Sequence, residues 1–130
     1  MSEMHPWPVF VYGTLLSGEP NHRLLSRAKR LGEVKTLPLF ELRSLGAFPG
    51  LIALGNTAVL GELYEVDVET LRSLDALEGH PSLYRRACIA LDSGALVEAY
   101  LLRPSQVRHM PVIVSGSWRQ YCKEGKSCES

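Results

Sequence analysis

One acidic residue lies at a position where its pKa is expected to be shifted. Glu78 ends a predicted helix and is followed by Gly79, so it lies at the negative end of the helix dipole. It also directly follows Leu77, a member of an apolar stripe. In a cleft, burial and the dipole would both raise its pKa toward the range of a useful general base. From this context alone, an exposed surface glutamate is the alternative.

A second candidate for chemistry is a loop that follows a short apolar strand. Its residues are Tyr12, Gly13, Thr14 and Leu15. Glycine permits backbone dihedrals that turn successive N–H groups toward one point, and its missing side chain lets a ligand come close. Such a loop suits a carboxylate or a developing oxyanion. An ordinary strand-ending turn is the alternative.

Other kinds of catalytic site find little support. The chain has no GxSxG, HExxH, Walker or GxGxxG motif. Its histidines at positions 22, 80 and 109 lack metal-ligand spacing with any cysteine, so we expect surface or capping roles for them and no metal site. Cys88 falls in a predicted strand, where we expect a small core residue rather than a nucleophile.

A short amphipathic helix would carry Glu78. Asp67 is a good N-cap, Gly79 stands where a left-handed C-terminal residue belongs, and Pro81 prevents continuation. The apolar stripe on one face of this helix consists of Leu71, Leu74 and Leu77.

The remaining pattern is that of strands with short helices. A strand over residues 9–12 leads into the loop, and a helix is predicted from an Asn21 cap through residue 28, with its basic side chains on a solvated face. Strand-like pieces over 37–55 are interrupted by proline and glycine. Further predicted elements are a strand over 59–66, a hairpin of strands 86–91 and 96–102, and a helix turn over 118–121. This irregular order predicts an α+β fold with a curled sheet or small barrel.

Length and composition describe one small domain. The chain has 130 residues, of which 45% are hydrophobic, so a core can form without staples. Its 14 basic and 14 acidic residues balance, which disfavours nucleic acid and anionic membranes as partners. No apolar run approaches the roughly 20 residues of a membrane span, and the N-terminus lacks the apolar segment of a signal peptide. We predict a cytoplasmic domain over residues 1–130, with a core over 8–121 and a polar tail over 123–130.

The loop and the acidic residue occur together in a known family. The chain resembles the γ-glutamylcyclotransferase-like (AIG2-like) family, and most of all its γ-glutamylamine cyclotransferase branch, over about residues 9–121. The resemblance rests on residues 9–15 (VFVYGTL), 18–25 (GEPNHRLL), 61–66 (GELYEV), the helix ending at Glu78, 81–86 (PSLYRR) and 115–118 (SGSW). Family members often carry Gly-Asp-Trp at the last of these, from which Ser117 departs.

The resemblance implies a small mixed β-barrel flanked by short helices, with the loop and Glu78 facing one cavity. The γ-glutamyl head would be bound by Tyr12, Gly13, Thr14 and Leu15. Glu78 would be the acid/base, while the substrate's own α-amine attacks its γ-carbonyl and releases 5-oxoproline and a free amine, without a cofactor. The resemblance leaves open which γ-glutamyl amine or peptide is used, and the oligomeric state. Residues 45–56 are expected to contact the amine half.

Two alternatives remain at this point. One is a non-catalytic domain on the same fold that binds a small acid or a partner protein. The other is an enzyme that moves the γ-glutamyl group to water or to another amine.

Four further side chains are candidates for lining the pocket, with core or surface packing as the alternative for each: Tyr84, Arg86, Tyr100 and Trp118.

Overall fold

The computed structural model describes residues 6–125, within which seven strands and two α-helices occur. The strands are β1 (Trp7–Val11), β2 (Lys29–Lys35), β3 (Phe40–Ser44), β4 (Pro49–Thr57), β5 (Leu60–Val66), β6 (Arg85–Ala90) and β7 (Leu96–Leu101). The helices are α1 (Val68–Glu78) and α2 (Trp118–Lys123), and short 3₁₀ helices cover His22–Leu25 and Pro104–Gln106.

The strands form one mixed sheet that divides at β7. The main order is β2-β5-β1-β7-β4-β3, and β6 pairs with β7 along its whole length. β1 and β4 both run parallel to β7, with Val9 opposite Glu98 and Leu51 opposite Leu101. β6 pairs along one edge of β7. β1 and β4 therefore both pair with the other edge of β7, at different positions along it, and they diverge from each other at that edge. The end of β1 and the start of β4 therefore meet at this division.

The predicted α+β class with a mixed sheet and short helices is confirmed, and the predicted barrel holds as an approximation. An isolated bridge between Thr36 and Leu91 brings the end of β2 to the end of β6 and curls the sheet. Within the described residues no further pairing joins β2 to β6, so the sheet stays open.

Two apolar clusters cover the two faces of the sheet. Successive side chains of a strand point to opposite faces, so Val9 and Val11 pack in one cluster with Leu71 of α1. Phe10 packs in the other with Trp118 of α2. β1 is thus buried on both sides, which fixes the position of the loop that follows it.

Helix α1 forms as its caps predict. The Asp67 carboxylate accepts a hydrogen bond at 2.7 Å from the backbone N–H three residues on, and Gly79 adopts a left-handed conformation with φ of 67°. The predicted apolar stripe is only partly correct. Leu71 and Leu74 are buried, but Leu77 is 41% exposed because the last turn of the helix extends past the core cluster.

The helix predicted over residues 21–28 is wrong beyond its first turn. A 3₁₀ helix covers His22–Leu25, and the chain then enters strand β2 at Lys29. β2 pairs with β5 and most of its side chains are exposed, so it lacks the apolar alternation by which strands are recognised. The predicted solvated helix is therefore a 3₁₀ turn and a short loop that lead into an exposed strand at the edge of the sheet.

Two smaller expectations are corrected in the strands. Cys88 lies in β6 as predicted, but it is exposed rather than in the core, because its neighbour Ile89 takes the inward position. β4 runs unbroken through Pro49, Gly50 and Gly55, where interruptions were expected. The hairpin of β6 and β7 and the terminal helix turn in α2 are confirmed.

The predicted polar tail lies, from residue 126 on, outside the described residues. Between residues 6 and 125, no helix combines the length and apolar character needed to cross a membrane.

Candidate active site

One cavity brings together all five residues singled out from the sequence. It has a volume of about 230 Å³ and lies where β1 and β4 part beside β7. The residues that line it are Phe10, Val11, Tyr12, Gly13, Thr14, Leu15, Asn21, Phe48, Pro49, Leu77, Glu78, Leu83, Tyr84 and Tyr100. The loop after β1 thus faces the C-terminal end of α1 across a common space.

Glu78 is a half-buried carboxyl group with a perturbed acidity. It is the last residue of α1, and burial raises its pKa from 4.5 to about 7. Within residues 6–125, no hydrogen bond to its carboxylate offsets this effect. At neutral pH the group is therefore divided between its acid and base forms, which suits proton transfer in either direction.

Gly13 is required by close packing. A Cβ atom at this position would lie 2.6 Å from Pro49 Cγ and 2.7 Å from Pro49 Cδ, well inside contact distance. Gly13 is not among the residues with positive φ, so the dihedral freedom expected from the sequence is not what this position uses. The missing side chain admits a proline ring, which holds the loop against the start of β4.

The loop that lines the cavity has backbone donors without a partner. Among the described residues, the N–H groups of Gly13, Thr14 and Leu15 have no hydrogen-bond partner. Three consecutive free N–H groups in a lining loop are suitable donors to a carboxylate or an oxyanion.

The polar residues that follow hold this loop in place. Asn21 donates from its backbone N–H to the carbonyl of Thr14 at 2.8 Å and from its side-chain amide to the Thr14 hydroxyl at 3.0 Å. The ring of His22 forms a hydrogen bond to the carbonyl of Leu15 at 2.9 Å. The segment 12–22 is thereby tied back on itself, and its free N–H groups keep a defined position.

Two lining tyrosines use their hydroxyl groups for structure. Tyr12 donates to the carbonyl of Tyr100 at 2.7 Å and accepts from the N–H of Leu51 at 3.2 Å, which bridges β7 and β4. Tyr84 donates to the carbonyl of Pro49 at 2.7 Å. Burial raises the pKa of both hydroxyls, so they stay protonated. Each therefore offers the cavity its ring.

An ionic network supports α1 from behind. Asp75 accepts from the hydroxyl of Tyr100 at 2.6 Å and from Arg86 at 2.9 Å. Arg86 also donates to Glu98 at 3.1 Å and lies over the ring of Trp7 at 5.6 Å. Because Asp75 lies one turn before the end of α1, these contacts tie the last turn of the helix to β6 and β7.

The structure also decides among the other sequence candidates. Tyr84 and Tyr100 line the cavity, whereas Arg86 belongs to the network behind it and Trp118 is buried in the second core cluster. Besides the tyrosines, seven lining residues are not among the site residues named from the sequence: Phe10, Val11, Asn21, Phe48, Pro49, Leu77 and Leu83. Phe48 and Pro49 do fall in the segment 45–56 expected to contact the amine half. Phe10, Val11, Asn21 and Leu83 stand in segments of the resemblance, but no local sequence pattern brings these segments together around one cavity. Residues 6–125 contain no cluster of metal-ligating side chains.

A second glutamate lies outside the cavity in a very different setting. Glu62 on β5 has a side chain that is 1% exposed, and it accepts hydrogen bonds at 2.9 Å from the N–H and hydroxyl of Ser17 and from the hydroxyl of Tyr64. Arg119 lies 3.2 Å away and Arg30 3.5 Å. Burial would raise its pKa, but these donors and the nearby positive charge of Arg119 lower it to about 2.

Comparisons with protein families and with known proteins agree on one family. Residues 9–120 match the family described as γ-glutamyl cyclotransferase, AIG2-like. A Vibrio cholerae protein provisionally named a γ-glutamylcyclotransferase is 44% identical over 112 residues, which are 86% of this chain and 95% of that protein. The γ-glutamylaminecyclotransferase of Bos taurus is 44% identical over 88 residues, 61% of this chain and 52% of that one.

A solved structure agrees with these sequence relatives. An AIG2-like protein from Mus musculus superposes with a TM-score of 0.66 at 31% identity, covering 82% of this chain and 85% of its own. The resemblance recognised in the sequence is thus confirmed by family, relatives and fold together, and the chain belongs to the AIG2-like γ-glutamylcyclotransferase family.

Proposed function

We propose that this protein releases 5-oxoproline and a free amine from a γ-glutamyl amine or peptide, with Glu78 as the acid/base. The observation that carries the proposal is a glutamate with a pKa of about 7 in the same cavity as a loop with free N–H groups. A carboxyl group of this acidity accepts and returns a proton at neutral pH.

The reaction moves two protons off the α-nitrogen, because the α-ammonium group of the substrate carries three hydrogens and the ring nitrogen of 5-oxoproline keeps one. The α-ammonium group of the substrate gives a proton to the Glu78 carboxylate, and the freed lone pair attacks the γ-carbonyl carbon. A new C–N bond closes the five-membered ring. The bond to the departing amine then breaks as that nitrogen takes the proton from Glu78. The ring nitrogen gives its remaining extra proton to the freed Glu78 carboxylate, which passes it to the released amine. No water is consumed and the carboxylate is regenerated.

Holding the substrate folded supplies a large part of the acceleration. Nucleophile and electrophile belong to one molecule, and well-oriented intramolecular reactions gain up to about 7–11 kcal/mol over their bimolecular counterparts. The rings of Tyr12 and Tyr84 give the cavity firm walls, because each hydroxyl is tied to the backbone. Proton transfer by a positioned carboxylate adds roughly 10²–10⁴-fold.

The loop would bind the negative charge of the substrate. The α-carboxylate is one candidate for its free N–H groups, and the oxyanion that develops on the γ-carbonyl is the other. In either role, Gly13, Thr14 and Leu15 act through their backbones. Tyr12, which was also predicted to bind the substrate, would contact it through its ring. The hydroxyl of Tyr12 is hydrogen-bonded to β7 and β4 and is not free for the substrate.

Mass-spectrometric detection of 5-oxoproline tests the proposal. The full chain is incubated with γ-glutamyl amines and peptides that share the head group, and Glu78→Gln is run in parallel. We expect equal amounts of 5-oxoproline and free amine from the native protein and very little from the variant.

Two other results would each point to a different class of protein. Free glutamate or a new γ-glutamyl amide in place of 5-oxoproline would indicate transfer to water or to a second amine. Ligand binding without any turnover, in a folded protein, would indicate a binding domain. Both results contradict the proposed cyclisation.

A further inference from the structure

Apart from the loop, most of the cavity lining is apolar or aromatic. Phe48, Pro49, Leu77 and Leu83 contribute to it. Among the described residues, no lysine, arginine or histidine lines the cavity. The charged group that does line it is the carboxyl of Glu78.

The two leucines lie where the cavity opens to solvent. Leu77 and Leu83 line the cavity and are yet 41% and 46% exposed. Leu83 is held in this position from both sides, since its N–H donates to the carbonyl of Gly79 at 2.9 Å and its own carbonyl accepts from Gln106 at 3.0 Å. This apolar rim is therefore a fixed feature of the fold.

Phe48 adds an aromatic ring to the apolar lining. Its ring lies 6.4 Å from the ring of Tyr84 at an angle of 55°, and it packs on the first core cluster. Tyr84 is held in turn through its hydroxyl at the start of β4. The rim thus has two supported walls.

Such a rim favours one class of leaving amine over another. Covering exposed apolar surface with an apolar group removes both from water, which is favourable. A carboxylate in the same position would lose water without gaining a cation, which is unfavourable. Arg86, which lies behind the cavity, is engaged by Asp75 and Glu98.

We infer that the amine half of the substrate is a small apolar group seated on Phe48, Leu77 and Leu83. A cavity of about 230 Å³ is below the 300–1,000 Å³ of typical drug-sized ligand sites, so the group is small. This inference rests on the proposed function and goes beyond it by naming the class of amine that is released.

An isosteric pair of substrates tests the inference. γ-Glutamylisobutylamide and γ-glutamylglycine share the reacting head, and they differ in that a branched alkyl group replaces a carboxylate. We expect kcat/KM for 5-oxoproline release to be about tenfold or more higher for the isobutylamide. Within a series of linear alkyl amides, we expect kcat/KM to rise about fourfold per methylene until the rim is covered.

A positive charge at the rim should weaken the preference for the apolar amine. In Leu83→Lys, we expect the ratio of the two kcat/KM values to fall at least about fivefold, because the ammonium group pairs with the glycine carboxylate. The ratio cancels any general change in turnover, since both substrates share the head. Leu77→Lys repeats the test from α1. Leu96→Lys, at a position 67% exposed and outside the cavity lining, should leave the ratio unchanged.

The outcomes separate the inference from the function beneath it. γ-Glutamylglycine turned over as fast as the isobutylamide by the native protein would overturn the inference and leave the cyclotransferase function intact. So would a ratio that neither rim variant changes. Absence of 5-oxoproline from every γ-glutamyl compound would overturn both.

Discussion

Glu62 and Glu78 are both shielded from solvent, yet their acidities move in opposite directions. Glu62 is 1% exposed and has its pKa lowered to about 2, while the less buried Glu78 has its pKa raised to about 7. The difference lies in their partners. Glu62 is surrounded by Ser17, Tyr64 and Arg119, whereas no donor among the described residues is hydrogen-bonded to the Glu78 carboxylate. Partners, rather than depth of burial, decide which carboxylate can exchange a proton.

One segment of chain connects the two regions. Ser17 donates to Glu62 through its N–H and its hydroxyl, and Arg119 of α2 contacts both the carbonyl of Ser17 and Glu62. A few residues earlier, Thr14 and Leu15 line the cavity of Glu78. Glu62 thus anchors the loop structurally, while the Glu78 carboxylate makes no hydrogen bond to the described residues.

Removing the carboxyl group proposed as the acid/base should have the largest effect on activity. In Glu78→Gln, we expect release of 5-oxoproline to fall roughly 10²–10⁴-fold, because the amide cannot take up and return the proton. The variant should unfold at a temperature no lower than the native protein, since a charge disfavoured by burial is removed. Mass spectrometry and thermal unfolding measure the two quantities. Glu69→Gln, at an exposed position on the same helix, is the matched control. Near-native turnover in Glu78→Gln would remove this residue from the mechanism.

Activity should depend on pH through the same group. The base form of Glu78 is lost as pH falls below its pKa of about 7. We therefore expect kcat/KM to fall up to about tenfold per pH unit on the acid side, or roughly 100-fold by pH 5. The measurement is a pH–rate profile between pH 5 and 9, with folding checked at each pH. A profile that is flat down to pH 5 would mean that Glu78 is not the titrating base.

Removing the carboxylate of Glu62 should lower the stability of the fold rather than the activity. In Glu62→Gln, we expect the free energy of unfolding at pH 7 to fall by about 2–3 kcal/mol, since buried donors lose a charged acceptor. A pKa lowered in the folded state contributes stability above the unfolded value of 4.5, and this is lost as pH falls toward 2. The deficit of the variant should therefore shrink between pH 4.5 and 2. Urea unfolding across this range tests it.

The catalytic activity of Glu62→Gln also tests the difference between Glu62 and Glu78. At a temperature where Glu62→Gln is folded, we expect turnover to remain within a few-fold of native. A loss of turnover as large as that of Glu78→Gln, in a folded protein, would mean that the two glutamates are not functionally distinct.

Weakening the anchor by one donor should have the smallest effect. Ser17→Ala removes the hydroxyl bond to Glu62, together with the 3.0 Å bond that Arg119 donates to this hydroxyl, and keeps the backbone N–H bond to Glu62. We expect a loss of about 1 kcal/mol in the free energy of unfolding, as for a typical hydrogen bond. Urea unfolding at pH 7 measures it, with Ser93→Ala in the exposed hairpin turn as control. An effect as large as that of Glu62→Gln would mean that the hydroxyl carries most of the anchor.

The local parts of the site could be predicted from the sequence. Asp67 and Gly79 mark the ends of α1 because capping depends on residues a few positions apart, and they locate Glu78 on the last turn. The apolar run before Gly13 likewise marks a buried strand and the loop after it. The edge strand β2 was missed, because its exposed polar side chains leave no periodic signal.

By itself, the sequence determined the family, the caps of α1, the strand before the loop and the two halves of the candidate site. The tertiary structure decided what lies between them. The close approach of Pro49 to Gly13, the rings of Tyr84 and Tyr100 in the cavity, and the opposite acidities of Glu62 and Glu78 all depend on contacts between distant segments. Local rules act over a few residues, whereas burial and the choice of hydrogen-bond partner are set by the whole fold.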